Sequence, residues 1–369
     1  MSLVSDHDVM DKELLVKYKQ VAKSKIQKFF ITTKLVIGNI LFYLECWSIA
    51  IRSILYYFFV GTKSNRIIKD IKYSAKRPRN VCDVYLPKKS ETSVTTKIRP
   101  CLVFVHGGSW GYGDKIQYIL LGKQLSDRGI IVVVCNYTLY PKGTVTEMVD
   151  DVEQLLVHVK NHVHEYGGTP DNIHLAGHSA GAHITALYVC TRLIEHPSST
   201  AVPSAPSIRS FIGMGGVYDI SDHFIHESKR GLEHVSPMRP ACKGPSKFKQ
   251  YSPCHLLELH EEKSLTLPCN IFLLHGELDK TVPISSAEKF EYIISTRFKS
   301  NNTRKDSPYR YIFNRYPNVG HIDLVFGIYD DNAPINVDGI DYNTSTSPDM
   351  KSTKKSVLQD IIRLIDRRT

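Results

Sequence analysis

The chain has 369 residues, 42% of them hydrophobic and 23% charged. This composition excludes wholesale disorder and leaves room for one large α/β domain plus an appendage, or for two ordinary domains. The net charge of +10 falls within residues 1–89, which hold 17 Lys+Arg against 7 Asp+Glu, while the remainder balances; that placement argues against a basic nucleic-acid face on the main domain and fits a segment close to anionic lipid.

The first element is the most apolar stretch of the chain, residues 35–60, LVIGNILFYLECWSIAIRSILYYFFV. Its length suits a bilayer span, which needs about 20 residues. Glu45 and Arg52 interrupt it, each costing roughly 2.5–3.5 kcal/mol near a helix centre. Being seven apart, they share one helix face and can partly offset each other. A polar stretch precedes the apolar one, unlike a secretory signal. Residues 1–61 are therefore expected to be a basic, membrane-associated segment. It either crosses the bilayer, lies in one leaflet or packs as an amphipathic helix on the domain, and lysines and arginines at both ends leave its orientation open.

Residues 62–369 read as the folded domain. RIIKDIKYS and NVCDVYLP are short alternating strands, the second ended by Pro87. PCLVFVHGG is a buried strand running into glycines, residues 114–128 a helix, and GIIVVVCNY another buried strand. Residues 144–166 have helical spacing ended by Gly167 and Gly168. NIHLAGHS is a strand and AGAHITALYVCTRLIEH a helix that opens directly on a serine. IRSFIGMGG is a strand, followed by a proline-containing stretch, residues 216–266, with little periodicity, which reads as a cap-like insertion. CNIFLLHGELD, SSAEKFEYIISTRF and YRYIFNRYP read as strand, helix and strand, and KKSVLQDIIRLIDR as a terminal helix after a polar stretch at 329–352. Strands alternating with helices predict a mostly parallel sheet with helices on both faces.

The cysteines show no CxxC or other metal-type spacing. Cys101, Cys135 and Cys269 lie in apolar strand-like runs and are expected to be inert core residues, and Cys242 and Cys254, in one loop-rich region, are expected to stay unpaired. His158 and His162 are one helical turn apart without the glutamate of an HExxH pattern, so they read as a solvated helix face. Neither a metal nor an organic cofactor is expected.

The chemistry is concentrated in LAGHSAGAH, residues 175–183. Gly177 and Gly181 bracket Ser179 between a strand and a helix, the pattern of a nucleophile elbow in an α/β-hydrolase, where a sharply bent backbone lifts the hydroxyl above the sheet. Such a serine needs a histidine to take its proton and a carboxylate to orient the histidine, in the chain order Ser, Asp or Glu, His. LLHGELDKTVP offers Asp279, with Glu277 as the rival acid, and PNVGHIDLV offers His321; each follows its own strand. HGGSW, residues 106–110, stands where such folds place an oxyanion loop. Gly107, Gly108 and Ala180 are the expected backbone N–H donors for a tetrahedral oxyanion.

FVHGGSWGYGDK, LLGKQLSDRGIIVVVCNY, EYGGTPDNIHLAGHSAGAH, GGVYDISDHFIHESKRGL and GHIDLVF resemble segments of the isoprenylcysteine (prenylcysteine) α-carboxyl methylesterases. The likeness runs from about residue 80 to about residue 328. It departs at His106, where plant members carry threonine, and in the polar stretch 329–352. The resemblance implies a membrane-bound α/β-hydrolase that demethylates the C-terminus of prenylated proteins, with Ser179, Asp279 and His321 as its triad. It also implies a place on endoplasmic reticulum or Golgi membranes with the domain facing the cytosol. HGG-x-W and GHSAGAH are shared with kynurenine formamidases, so arylformamidase is the rival activity, followed by a general carboxylesterase or lipase acting on small esters, and by a catalytically dead binding protein. N-x-[ST] occurs at Asn136, Asn301 and Asn343. Asn136 ends a buried strand, so only Asn301 and Asn343 are expected to be open to glycosylation in a luminal domain.

Overall fold

The computed structural model describes residues 51, 53–59, 61, 64–88, 98–195, 207–260, 269–298, 310–326 and 357–365. The apolar stretch 35–60 therefore lies mostly outside the described residues, as do Asn301, Asn343 and the polar stretch 329–352. Among the described residues no helix is long and apolar enough to cross a membrane.

Eight strands form one sheet in the order β1-β2-β4-β3-β5-β6-β7-β8. β1 (Ile67–Lys72), β2 (Val81–Tyr85) and β4 (Ile131–Cys135) pair antiparallel in that succession. From β4 across β3 (Arg99–Val105), β5 (Gly168–His178), β6 (Ser210–Met214), β7 (Asn270–Gly276) and β8 (Tyr311–Tyr316) every pairing is parallel. β4, β6 and β7 are buried along their whole length, as continuous apolar runs in a doubly covered parallel sheet should be.

Alternate residues of the strands feed two cores. Val103, Val105, Val133 and Leu175 face one, with α2 (Val145–His162) and α3 (Ala180–Glu195) contributing Leu155, Leu156 and Ile184. Leu102, Phe104, Val132 and Ala176 face the other, closed by Leu121 and Leu125 of α1 (Ile119–Ser126) and by Leu358 and Ile361 of the C-terminal helical run 357–365. The helix expected at 114–128 begins as a 3₁₀ turn over Lys115–Tyr118, and α2 passes into another before Gly167 ends it in the left-handed region, φ 84°.

The cap-like stretch is structured where it is described. α4 (Ile220–Lys229), a four-residue turn at Met238–Ala241 and α5 (Pro253–Leu259) alternate with loops. Elements this short carry too few turns for a periodic signature, which is why the sequence reads as irregular there. The segment touches the loops at the sheet's edge. A Cβ on Gly111 would lie 2.6 Å from Pro237 Cγ, and His226 Nε2–H donates to the Lys280 carbonyl at 3.1 Å. The parallel strands deliver the ends of β3, β5, β6, β7 and β8 to one edge, so the residues that follow them meet beneath that cap.

Candidate active site

Ser179 sits between β5 and α3 with φ 55°, a left-handed conformation that disfavours a side chain. The flanking glycines make the bend possible. A Cβ on Gly177 would come within 2.5 Å of the Gly181 carbonyl, and one on Gly181 within 2.2 Å of the Val105 carbonyl. The bend is tied to the sheet by the Ser179 N–H, which donates to the Met214 carbonyl at 2.9 Å. Ala180 opens α3 in its first turn, where backbone N–H groups have no intrahelical acceptor and the helix end favours negative charge.

The carboxylate that meets His321 is Asp279. His321 Nδ1–H donates to Asp279 Oδ2 at 2.6 Å, while Asp279 Oδ1 accepts the N–H groups of Thr281 and Val282 at 2.9 and 2.8 Å. Glu277 is exposed, and its backbone N–H is spent on Tyr316 O. Burial alone would raise the Asp279 carboxyl. The charge of His321 and the hydrogen bonds of His275 and His321 outweigh it and hold the group well below the usual carboxylate range. A Cβ on Gly215, the residue after Met214, would fall 3.3 Å from both Asp279 Oδ2 and His321 Nδ1. The acid–histidine pair thus lies against the strand end that also holds the Ser179 backbone.

Two histidines complete this cluster and had no role in the sequence reading. His178, beside the nucleophile, donates Nε2–H to the His321 carbonyl at 3.0 Å, and its ring lies 4.7 Å from the His321 ring. Burial drives its imidazole down to about 3, so it stays neutral. His275 donates Nε2–H to the Val282 carbonyl at 2.9 Å, 3.4 Å from Asp279 Oδ2. The motif GHSAG and the run LLHGELD contain both residues, but the sequence carries no sign of the backbone carbonyls they hold.

The oxyanion loop differs from expectation at Gly107. Its N–H donates to the Tyr118 hydroxyl at 3.2 Å and is therefore engaged. What Gly107 supplies is clearance: a Cβ there would stand 3.1 Å from Ser179 Cβ and 3.0 Å from the His178 carbonyl. Gly108, at φ 129°, continues the loop in a conformation reserved for glycine. Cys242 and Cys254 are buried and free, as are the other described cysteines. Among the described residues no group of three His, Cys, Asp or Glu is arranged to hold a metal ion.

The family model BD-FAE matches residues 82–293, more than half of the chain. A probable isoprenylcysteine α-carbonyl methylesterase of Arabidopsis thaliana is 38% identical over 200 residues, 54% of this chain and 40% of that one. A kynurenine formamidase of Danio rerio is 28% identical over 172 residues, 46% of this chain and 53% of that one. The chain spans 40–55% of the length of the plant methylesterases it matches. Among solved structures, esterase B of Lactobacillus rhamnosis superposes with a TM-score of 0.61 at 14% identity, over 91% of this chain and 96% of that one. That likeness is one of fold, the α/β-hydrolase fold, and leaves chemistry to the site itself.

Proposed function

The chain belongs to the BD-FAE family, and from that premise we propose that it is a serine hydrolase of carboxylic esters whose substrates are the methyl esters of C-terminal prenylcysteine. The observation that carries the hydrolase reading is the 2.6 Å bond from His321 to a buried Asp279 at the sheet edge that also bears the strained Ser179. With Nδ1 donating to Asp279, the His321 Nε2 lone pair accepts the Ser179 proton as Oγ attacks the ester carbonyl. The oxyanion is received by the N–H groups of Gly108 and Ala180. His321 then gives its proton to the departing methoxy oxygen, methanol leaves, and water repeats the cycle to free the acid. These steps need no metal or organic cofactor.

The substrate reading is supported by the higher identity to methylesterases, 38% against 28% for the formamidase. Arylformamidase remains the second reading, and a small ester the third. The test compares farnesylcysteine methyl ester, N-formylkynurenine and a short nitrophenyl ester. Each buried CH₂ contributes about 0.8 kcal/mol, so a five-carbon prenyl unit that finds a groove should raise kcat/KM by up to about 10³-fold. A preference for N-formylkynurenine over every prenylated ester would transfer the assignment to the formamidase reading.

Prenylated tails lie on the cytosolic face of membranes, so this substrate calls for a membrane-associated enzyme, on endoplasmic reticulum or Golgi, with its domain in the cytosol. The described end of the apolar stretch supports the association. The helical run 53–59 buries Ser53 and Tyr57 but exposes Phe58 and Phe59 by 58% and 60%, an outward apolar face of the kind that enters lipid. Asn136 is buried, its Nδ2 donating to Asp114 Oδ2 at 2.8 Å, so glycan attachment would have to occur at Asn301 or Asn343. The native protein should show no mobility shift on glycosidase treatment; a shift would place the domain in the lumen and count against the prenylcysteine substrate.

A further inference from the structure

The oxyanion loop is held in a conformation it would not keep by itself. Gly108, Ser109 and Trp110 follow one another at φ 129°, 48° and 60°. The two that carry side chains cost on the order of 1–3 kcal/mol each in that region unless their surroundings fix them. The turn is closed from within, because the Gly108 carbonyl accepts the N–H groups of Gly111 and Tyr112 at 3.1 and 2.8 Å. It is pinned from outside through Trp110, whose carbonyl accepts the Tyr140 N–H at 2.9 Å and whose indole is 1% exposed.

The indole has one polar atom, a donor, and it is spent on a single partner. Trp110 Nε1–H donates to His183 Nδ1 at 3.0 Å. His183 lies one helical turn after the nucleophile on α3 and is fully buried. Because Nδ1 accepts, the remaining ring proton is on Nε2, which donates to the Tyr251 carbonyl at 2.7 Å. The imidazole meets the indole edge-on, with ring centroids 5.3 Å apart, and His223 of the cap approaches the same indole at 6.4 Å. Burial draws the His183 imidazole down to about 4, so the lone pair on Nδ1 is present at working pH.

We infer that His183 is a positioning residue for the oxyanion loop: through Trp110 it fixes the Gly108 N–H relative to Ser179, and through Tyr251 it fastens that arrangement to the cap. The nucleophile and the loop that receives its oxyanion are thereby referenced to one helix, α3. Ser179 immediately precedes this helix, its carbonyl accepting the His183 N–H at 3.0 Å, and His183 sits in its first turn. A displacement near 1 Å in such a site costs on the order of 10²-fold in rate. This inference rests on the serine-hydrolase reading above.

The experiment measures kcat and KM on a short nitrophenyl ester, per active site titrated with a fluorophosphonate, for His183→Leu, His183→Asn and Trp110→Phe in the full chain. His183→Leu and Trp110→Phe each break the indole–imidazole bond, and each should lower kcat on the order of 10²-fold with KM changed by less than about threefold. His183→Asn keeps an acceptor near the Nδ1 position while giving up the bond to Tyr251, and it should recover kcat to within about threefold of the parent. A role confined to stability would lower the melting temperature of all three and leave kcat per titrated site unchanged; that result overturns the inference. If His183→Leu does not fold, Trp110→Phe carries the same test. Ser179→Ala run alongside separates the two levels. If it is inactive while Trp110→Phe turns over normally, the positioning role fails alone, whereas an active Ser179→Ala removes the hydrolase reading itself.

Discussion

Ser179→Ala is expected to lower ester turnover on the order of 10⁶-fold and to abolish covalent labelling by a fluorophosphonate, while leaving the folded protein intact. The fold should survive because the substitution removes only Oγ. Alanine already carries the Cβ that the left-handed turn tolerates at φ 55°, and the backbone bond from residue 179 to Met214 O is untouched. Gly177 and Gly181, which admit the bend, also stay in place. Residual rate above the uncatalysed reaction should reflect substrate binding and the oxyanion donors alone. Turnover and labelling at parental levels in this variant would sink the mechanism, since no other residue of the cluster is placed as a nucleophile.

The framework of this site is legible in the sequence because each part follows its own strand. Buried apolar runs such as IVVVC and NIFLLHG mark strands whose ends must share one edge when the pairing is parallel. The order serine, acid, histidine then narrows the candidates to Ser179, Asp279 or Glu277, and His321. The choice between the two acids needs structure, because exposed Glu277 and buried Asp279 are two residues apart in one turn. Gly107 shows a different limit. Its N–H is consumed by a tyrosine hydroxyl eleven residues further on, a contact that depends on how the 3₁₀ turn over Lys115–Tyr118 packs. His178, His183 and His275 are similarly opaque. Each binds a backbone carbonyl supplied by a distant or irregular segment, and no spacing rule distinguishes them from core histidines. The cap is hidden for a further reason: helices of four to ten residues present too few turns for a face to repeat.

Asp279→Asn should lower kcat on the order of 10⁴-fold, and the loss follows from which proton the histidine carries. In the parent, Asp279 Oδ2 accepts from His321 Nδ1–H, so the lone pair faces outward on Nε2. Asp279 Oδ1 is committed to the N–H groups of Thr281 and Val282. An asparagine that keeps those two bonds through its carbonyl oxygen must turn its NH₂ toward His321. Nδ1 then becomes an acceptor, the ring proton moves to Nε2, and the imidazole loses the lone pair with which the proposed mechanism takes the Ser179 proton. The carboxylate that would stabilise the imidazolium is lost in the same change. Fluorophosphonate labelling should slow in parallel, because it depends on the same proton transfer. Glu277→Gln, at an exposed position, should change kcat by less than about twofold, in line with the small effects usual for exposed substitutions that break no buried contact. A loss below tenfold in Asp279→Asn, or a large one in Glu277→Gln, would move the orienting role away from Asp279 and require a different proton path at His321.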